Sequence, residues 1–165
     1  MRKGKYLGFS LIFVFFIAGA SFWEMSVRQN SLLSKKSGAI FSPSNTKVVA
    51  LGKDIYQNNC ASCHGVNLEG EANWKSPNEN GLLPAPPHDE SGHTWHHTDK
   101  LLFDIVRVGL GKAANLPDYK TNMPIYENIL SDKEIIATLS YIKSTWPDEI
   151  AQRHDTLNEQ SVVAQ

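Results

Sequence analysis

The stretch Cys60-Ala61-Ser62-Cys63-His64 constrains this chain more than any other five residues. Two thiols three positions apart can each add across a vinyl group of one haem. The histidine directly after the second thiol then falls under the porphyrin, where it can ligate the iron. Cys-x-x-Cys-His is the spacing of c-type haem attachment. Two other chemistries use a Cys-x-x-Cys pair. A structural zinc site needs four ligands, usually from a second Cys or His pair at similar spacing, and the sequence has no third cysteine. A thioredoxin-like dithiol sits in a βαβ context, which the pattern here lacks. The motif therefore predicts one covalently attached haem c on Cys60 and Cys63, with His64 as an axial ligand.

With both cysteines in the motif, no structural disulfide can form. Haem c is expected on the extracytoplasmic side of a membrane, so the chain needs an export signal. Arg2, Lys3 and Lys5 form a short positive region, and Tyr6 to Trp23 runs eighteen residues without a charge. That length is near the lower limit for a membrane-spanning helix, about 18 residues. The positive-inside rule puts Met1 in the cytoplasm, and Trp23 suits the far interfacial belt. The competing reading is a cleaved signal peptide with its small-residue site at Ala18-Gly19-Ala20. The expected organisation is an anchor or signal over residues 1–23 and a flexible Ser-, Asn- and Lys-rich linker over 24–45. The haem domain then covers 46–165, with its core at 48–147. An anchor leaves this domain on the periplasmic face of the inner membrane; cleavage would release it into the periplasm.

Residues 1–45 carry a net charge of +5 and residues 46–165 a net −6. A domain of this sign is not a nucleic-acid binder. Its charge can steer it to a basic face of a redox partner, or simply keep it soluble.

Helical periodicity dominates the rest. Thr46 to Asn59 reads as a helix with Val48, Leu51 and Ile55 as its apolar stripe, and Gly52, Tyr56 and Cys60 share one face. Gly52 costs roughly 1 kcal/mol there against alanine, which points to a close backbone approach. Glycines and prolines from Gly65 to His97 indicate a long ordered loop. A helix from Asp99 to Val108 is expected, capped by Thr98 and ended by Gly109. Ser131-Asp132-Lys133-Glu134 is a capping box, and Ile135, Leu139, Ile142 and Trp146 follow at helical spacing up to Pro147. Residues 148–158 are expected to resume helix before a frayed tail. No segment alternates like a strand, so the fold class is all-α.

Haem iron has a second axial position, open to Met, His, Lys or no protein ligand. Among methionines, Met1 lies before the apolar stretch and Met25 in the linker, which leaves Met123. Pro124 stiffens its loop. The alternatives are a core methionine filling a gap and ligation by one of His88, His93, His96, His97 or His154. Trp95, His96 and His97 are candidates to donate hydrogen bonds to haem propionates, or else pack the loop. A copper or zinc site at His93, His96 and His97 matches no standard spacing.

These residues resemble the class I cytochrome c family, in particular its small bacterial monohaem type, over Val48 to Pro147. The matching elements are Gly52 and Tyr56 before the haem motif and Gly65, the proline-rich loop, Met123-Pro124, and a late helix with Ser140-Tyr141-Ile142-Lys143. The resemblance implies a cytochrome c-like helical domain wrapped around one haem. It also implies that the first and last helices cross closely, with Gly52 and Tyr56 near Tyr141. In such proteins a prolyl carbonyl accepts a hydrogen bond from the axial imidazole, and Pro86 is the best candidate, ahead of Pro84 and Pro87. The stretches Leu83–His88 and Gly92–His97 depart from the short mitochondrial-type loop and resemble bacterial membrane-associated cytochromes.

The expected function is single-electron transfer between extracytoplasmic or membrane redox proteins, by a carrier rather than an enzyme. One alternative is a haem subunit of a larger oxidase or dehydrogenase complex. Another is a sensor or peroxidase-like protein in which Met123 leaves the iron.

Overall fold

The computed structural model describes Met25 and residues 39–164. The expected anchor or signal over 1–23 lies outside the described residues. No helix among the described residues is long and apolar enough to cross a membrane.

Helices carry the domain, and the described residues contain no strand. The first helix, α1, spans Thr46–Asn59, and Oδ1 of Asn45 accepts from the backbone N–H of Lys47 and Val48 at its start. A single turn, α2 (Ala61–His64), follows. The long loop after it contains one 3₁₀ turn, Thr94–His96. Then come α3 (Asp99–Val108), capped by Thr98 and closed by Gly109, and the short α4 (Leu110–Ala113). Helix α5 (Asp132–Ser144) starts with both halves of the Ser131–Glu134 capping box, and α6 (Asp148–Val163) runs from Pro147.

The crossing of α1 and α5 organises the core. A Cβ built at Gly52 would overlap the carbonyl of Ala137 and come within 3.0 Å of Thr138 N. Only a residue without a side chain lets the two backbones meet there. One turn on, the rings of Tyr56 and Tyr141 pack at 5.5 Å between centroids. The contact expected around Tyr141 is therefore present. It also sets the rotation of α1. The buried face is Gly52, Ile55 and Tyr56, while Leu51 is 48% exposed. The expected Val48–Leu51–Ile55 stripe is corrected accordingly, because the helix turns its glycine rather than its leucine towards α5. On α5, Ile135, Leu139 and Ile142 are buried, as is Trp146 just beyond it.

Two boundaries differ from expectation. Residues 39–45 are part of the domain, not linker. The backbone N–H groups of Ile40 and Phe41 donate to Oδ2 of Asp99 at 2.6 and 2.9 Å, and Ser42 N donates to Oγ of Ser140 at 2.9 Å. Phe41 is 6% exposed, so one aromatic anchors a segment whose composition reads as tether. At the other end, α6 is longer than expected, and the core extends past 147 to His154 and Asn158.

A buried polar network joins this strap to α3 and α6. Oδ1 of Asp99 accepts from Nδ2 of Asn158 (2.9 Å), whose Oδ1 in turn accepts from Asp99 N (2.8 Å). His154 donates from Nε2 to the carbonyl of His97 at 2.9 Å, and its Nδ1 lies 3.4 Å from Nδ2 of Asn158. An amide nitrogen can only donate, so Nδ1 accepts and the imidazole is held neutral. Next to it, the buried ammonium of Lys143 pairs with Asp155 at 2.5 Å and ties α5 to α6. No fully buried side-chain nitrogen or oxygen among the described residues lacks a partner.

This network has a pH signature. Burial, then the Lys143 cation, push the His154 imidazole below its ordinary value, against the opposing pull of Asp99, the His97 carbonyl and Asp155. Unfolded, the histidine binds its proton near pH 6.5; folded, it does so only at lower pH. Unfolding in between takes up a proton, so stability is full above about pH 6.5 and declines as pH falls through that window. Urea midpoints measured near pH 7.5 and pH 5.5 should drop for the wild type and drop less for His154→Gln. Equal pH slopes would show that His154 is not held neutral by folding.

Candidate haem site

Cys60 ends α1 and opens α2, with its backbone N–H bonded to the Tyr56 carbonyl. It is half-buried against the core, whereas Cys63 is exposed, and neither is in a disulfide. Burial pushes the Cys60 thiol up to about 11, and charge on Cys63 adds to the rise. The phenol of Tyr56, itself fully buried, donates to the Gly65 carbonyl at 2.8 Å and fixes the far end of the motif to α1.

His64 is 8% exposed. Its Nδ1 lies 2.9 Å from the carbonyl oxygen of Pro86. A carbonyl only accepts, so Nδ1 carries the hydrogen and Nε2 keeps its lone pair. Burial lowers the proton affinity of the ring, opposed by the Pro86 carbonyl and by Glu71. The result is a neutral, oriented imidazole with Nε2 as its donor atom, the form in which histidine ligates a metal.

The loop that supplies this carbonyl is stitched to the chain just after the motif. Gly70, at φ +67°, lies so close to the loop that a Cβ would sit 2.6 Å from the Pro86 carbonyl carbon. Glu71 N donates to the Ala85 carbonyl (2.8 Å), and Ala85 N donates to Oε2 of Glu71 (2.6 Å). His88 N donates to the Leu68 carbonyl at 2.7 Å. The ring of His88 stacks on His64 with centroids 4.0 Å apart and planes 21° apart.

A Cytochrome c family model matches residues 49–146. The chain belongs to the cytochrome c family. No curated protein and no solved structure matched it. Family membership makes the domain a haem-based electron carrier with redox protein partners, and implies a covalent c-type haem. The residues present fit that group. A free thiol pair has the Cys-x-x-Cys spacing of haem c, and a neutral imidazole beside it presents one unprotonated nitrogen.

In this cytochrome c domain the half-buried Met123 lies in the loop between α4 and α5, where its N–H donates to Oγ1 of Thr121 at 3.0 Å. Three residues on, Tyr126 is buried and pins the loop twice. Its N–H donates to the Val106 carbonyl (3.1 Å) and its phenol to the Asn59 carbonyl (2.7 Å), one residue before Cys60. Burial first, then charge on Cys60 and Cys63, push that phenol up. Tyr126 thus ties the methionine loop to the edge of the haem motif, a connection that no local pattern in the sequence announces.

The rings of the histidine-rich segment pack against one another and against Trp74. The indole N–H of Trp95 points at the Glu90 carbonyl (3.4 Å), and its ring stacks on His96 at 3.6 Å. His93 stacks on Trp74 at 5.3 Å and meets His97 edge-on. Burial, followed by the neighbouring imidazoles, lowers the proton affinity of His93 and His97, with Lys75 also acting on His93. Among the described residues no three His, Cys, Asp or Glu side chains come together as a metal-binding group, so His93, His96 and His97 do not form the copper or zinc site weighed from the sequence.

Proposed function

We propose that this chain is a monohaem c-type cytochrome that carries single electrons between extracytoplasmic redox proteins. Cys60 and Cys63 would hold the haem through thioether bonds, and His64, through Nε2, and Met123 would ligate its iron. The observation that carries the reading is the hydrogen bond from His64 Nδ1 to the Pro86 carbonyl, which leaves a neutral imidazole immediately after the two thiols. When bound, the haem supplies an iron that takes up and releases one electron. The chain's part is to keep both ligands in place through that change, so that little reorganisation accompanies it. Pro86 fixes the tautomer of His64 and raises its basicity. Tyr126 and Pro124 restrain the loop of Met123, and a thioether ligand favours the ferrous state. Trp95 contributes by packing against the core beside the loop.

Residues 1–23 serve on this reading as an anchor that keeps the domain at the periplasmic face of the inner membrane. The charge-free run from Tyr6 to Trp23 behind Arg2, Lys3 and Lys5 supports it. Mass spectrometry of the mature protein decides between anchor and signal, since an amino terminus at Ser21 would overturn the anchor.

The test of the ligand set is optical. The purified, haem-loaded protein should be low-spin with the weak long-wavelength sulfur-to-iron band. Met123→Ala should abolish that band, lower the reduction potential and open the ferrous iron to carbon monoxide. A wild type that binds carbon monoxide readily would overturn the six-coordinate carrier.

A further inference from the structure

We propose that His88 is a positioning residue that sets the plane of the His64 imidazole. This inference rests on His64 being an iron ligand. One hydrogen bond to a carbonyl accepts a broad range of directions, and the χ2 torsion of a histidine is soft. The Pro86 carbonyl therefore fixes which nitrogen carries the hydrogen but leaves the ring free to tilt. The ring of His88 lies nearly parallel to His64, with centroids 4.0 Å apart and planes 21° apart. At that separation a tilt of His64 drives it into its neighbour.

A stacked ring holds its partner only if it is itself held, and His88 is held on every side. Its backbone N–H donates to the Leu68 carbonyl (2.7 Å), and its carbonyl accepts from the indole of Trp146 (2.7 Å). Its Nδ1 is 2.8 Å from Oγ1 of the buried Thr94, which also lies 3.4 Å from the Pro87 carbonyl. The edge of Tyr56 closes a further side at 6.4 Å. Histidine suits this place better than an aliphatic residue. Its flat face packs on His64, while its polar edge ties it through Thr94 to the same prolyl segment that carries the Pro86 acceptor. The plane of the axial imidazole is thereby referred to α1 through Tyr56 and to the end of α5 through Trp146.

The orientation of an axial imidazole is read directly in the ferric protein, from the g-values in electron paramagnetic resonance and the spread and order of the haem methyl resonances in NMR. With the full haem-loaded chain, His88→Ala should shift the g-values and reorder the methyl resonances while the iron stays low-spin. His88→Phe, which keeps a stacked ring, should return both close to wild type. Thr94→Val, which leaves the ring but removes its hydrogen-bond partner, should give a smaller shift in the same sense and keeps the test alive if the alanine variant does not fold. Wild-type g-values in His88→Ala, or in a folded Thr94→Val where the alanine variant fails, would overturn the positioning role. Absence of a low-spin, histidine-ligated spectrum in the wild type would instead overturn the ligand assignment beneath it.

Discussion

Gly52→Val is expected to leave the domain barely stable, with a loss of about 4 kcal/mol, and Gly52→Ala to cost about 2 kcal/mol. The atoms that a Cβ would strike are the carbonyl of Ala137 and the backbone nitrogen of Thr138. Both belong to the middle of α5, so they cannot rotate aside as a side chain can. The only relief is to part the helices, which withdraws packing from Tyr56 and Ile135, both 0% exposed. Overpacking a core ordinarily costs about 1–3 kcal/mol, and more where backbone must move. Alanine recovers about 1 kcal/mol of helix propensity over glycine; valine recovers less and adds two methyl groups to the clash. Urea denaturation of the haem-loaded protein measures the loss. Leu51→Ala, one residue away but 48% exposed, is the control and should stay within about 0.5 kcal/mol of wild type. A Gly52→Val midpoint inside that margin would mean that the crossing is not the organising contact.

Asp99→Ala is expected to cost about 3–5 kcal/mol, although Asp99 lies outside the haem motif. The carboxylate is fully buried and accepts three hydrogen bonds, from Ile40 N, Phe41 N and Nδ2 of Asn158. Truncation leaves those donors without an acceptor, and each buried unsatisfied donor costs about 1–3 kcal/mol. Water can enter and reduce the sum, which holds the figure below the simple total. Asp99→Asn should fall between alanine and wild type, because its amide group opposes one set of donors whichever way it is turned. The variant should also free the strap. Hydrogen exchange at Ile40 and Phe41 should rise towards that of an open chain, while exchange in the middle of α5 follows only the global stability. Unchanged protection at those two amides would show that Asp99 does not hold the strap.

The features legible in the sequence were those encoded by neighbours. The capping box needs only Ser131 and Glu134, the spacing of Cys60, Cys63 and His64 is local, and an unfavourable glycine inside a helix advertised the crossing at Gly52. The Pro86 acceptor came from resemblance to a family and reappears as a 2.9 Å hydrogen bond. What escaped were partnerships across long separations. Asp99 and Asn158 stand 59 residues apart, and neither sits in a periodic pattern that would bring them together. Residues 39–45 read as tether because they continue the Ser-, Asn- and Lys-rich stretch that begins at residue 24. The packing of Phe41 and two backbone hydrogen bonds to a distant carboxylate outweigh that composition. Leu51 misled for a related reason. Hydrophobicity alone ranks leucine above glycine as a core residue, whereas close approach of two backbones reverses the order.

The bond from the Tyr126 phenol to the Asn59 carbonyl spans 67 residues of chain, and the one from Ser42 to Ser140 spans 98. Contacts of this range form late, since the entropy of closing a long loop must be met before any of them contributes. A chain emerging from its amino terminus therefore presents residues 60–64 well before α5 exists to cover α1. Once the helices dock, Cys60 is half-buried and its thiol is harder to ionise, and only the thiolate is nucleophilic. Closure of the long loops thus divides the pair, sheltering the Cys60 sulfur against the core while Cys63 stays at the surface.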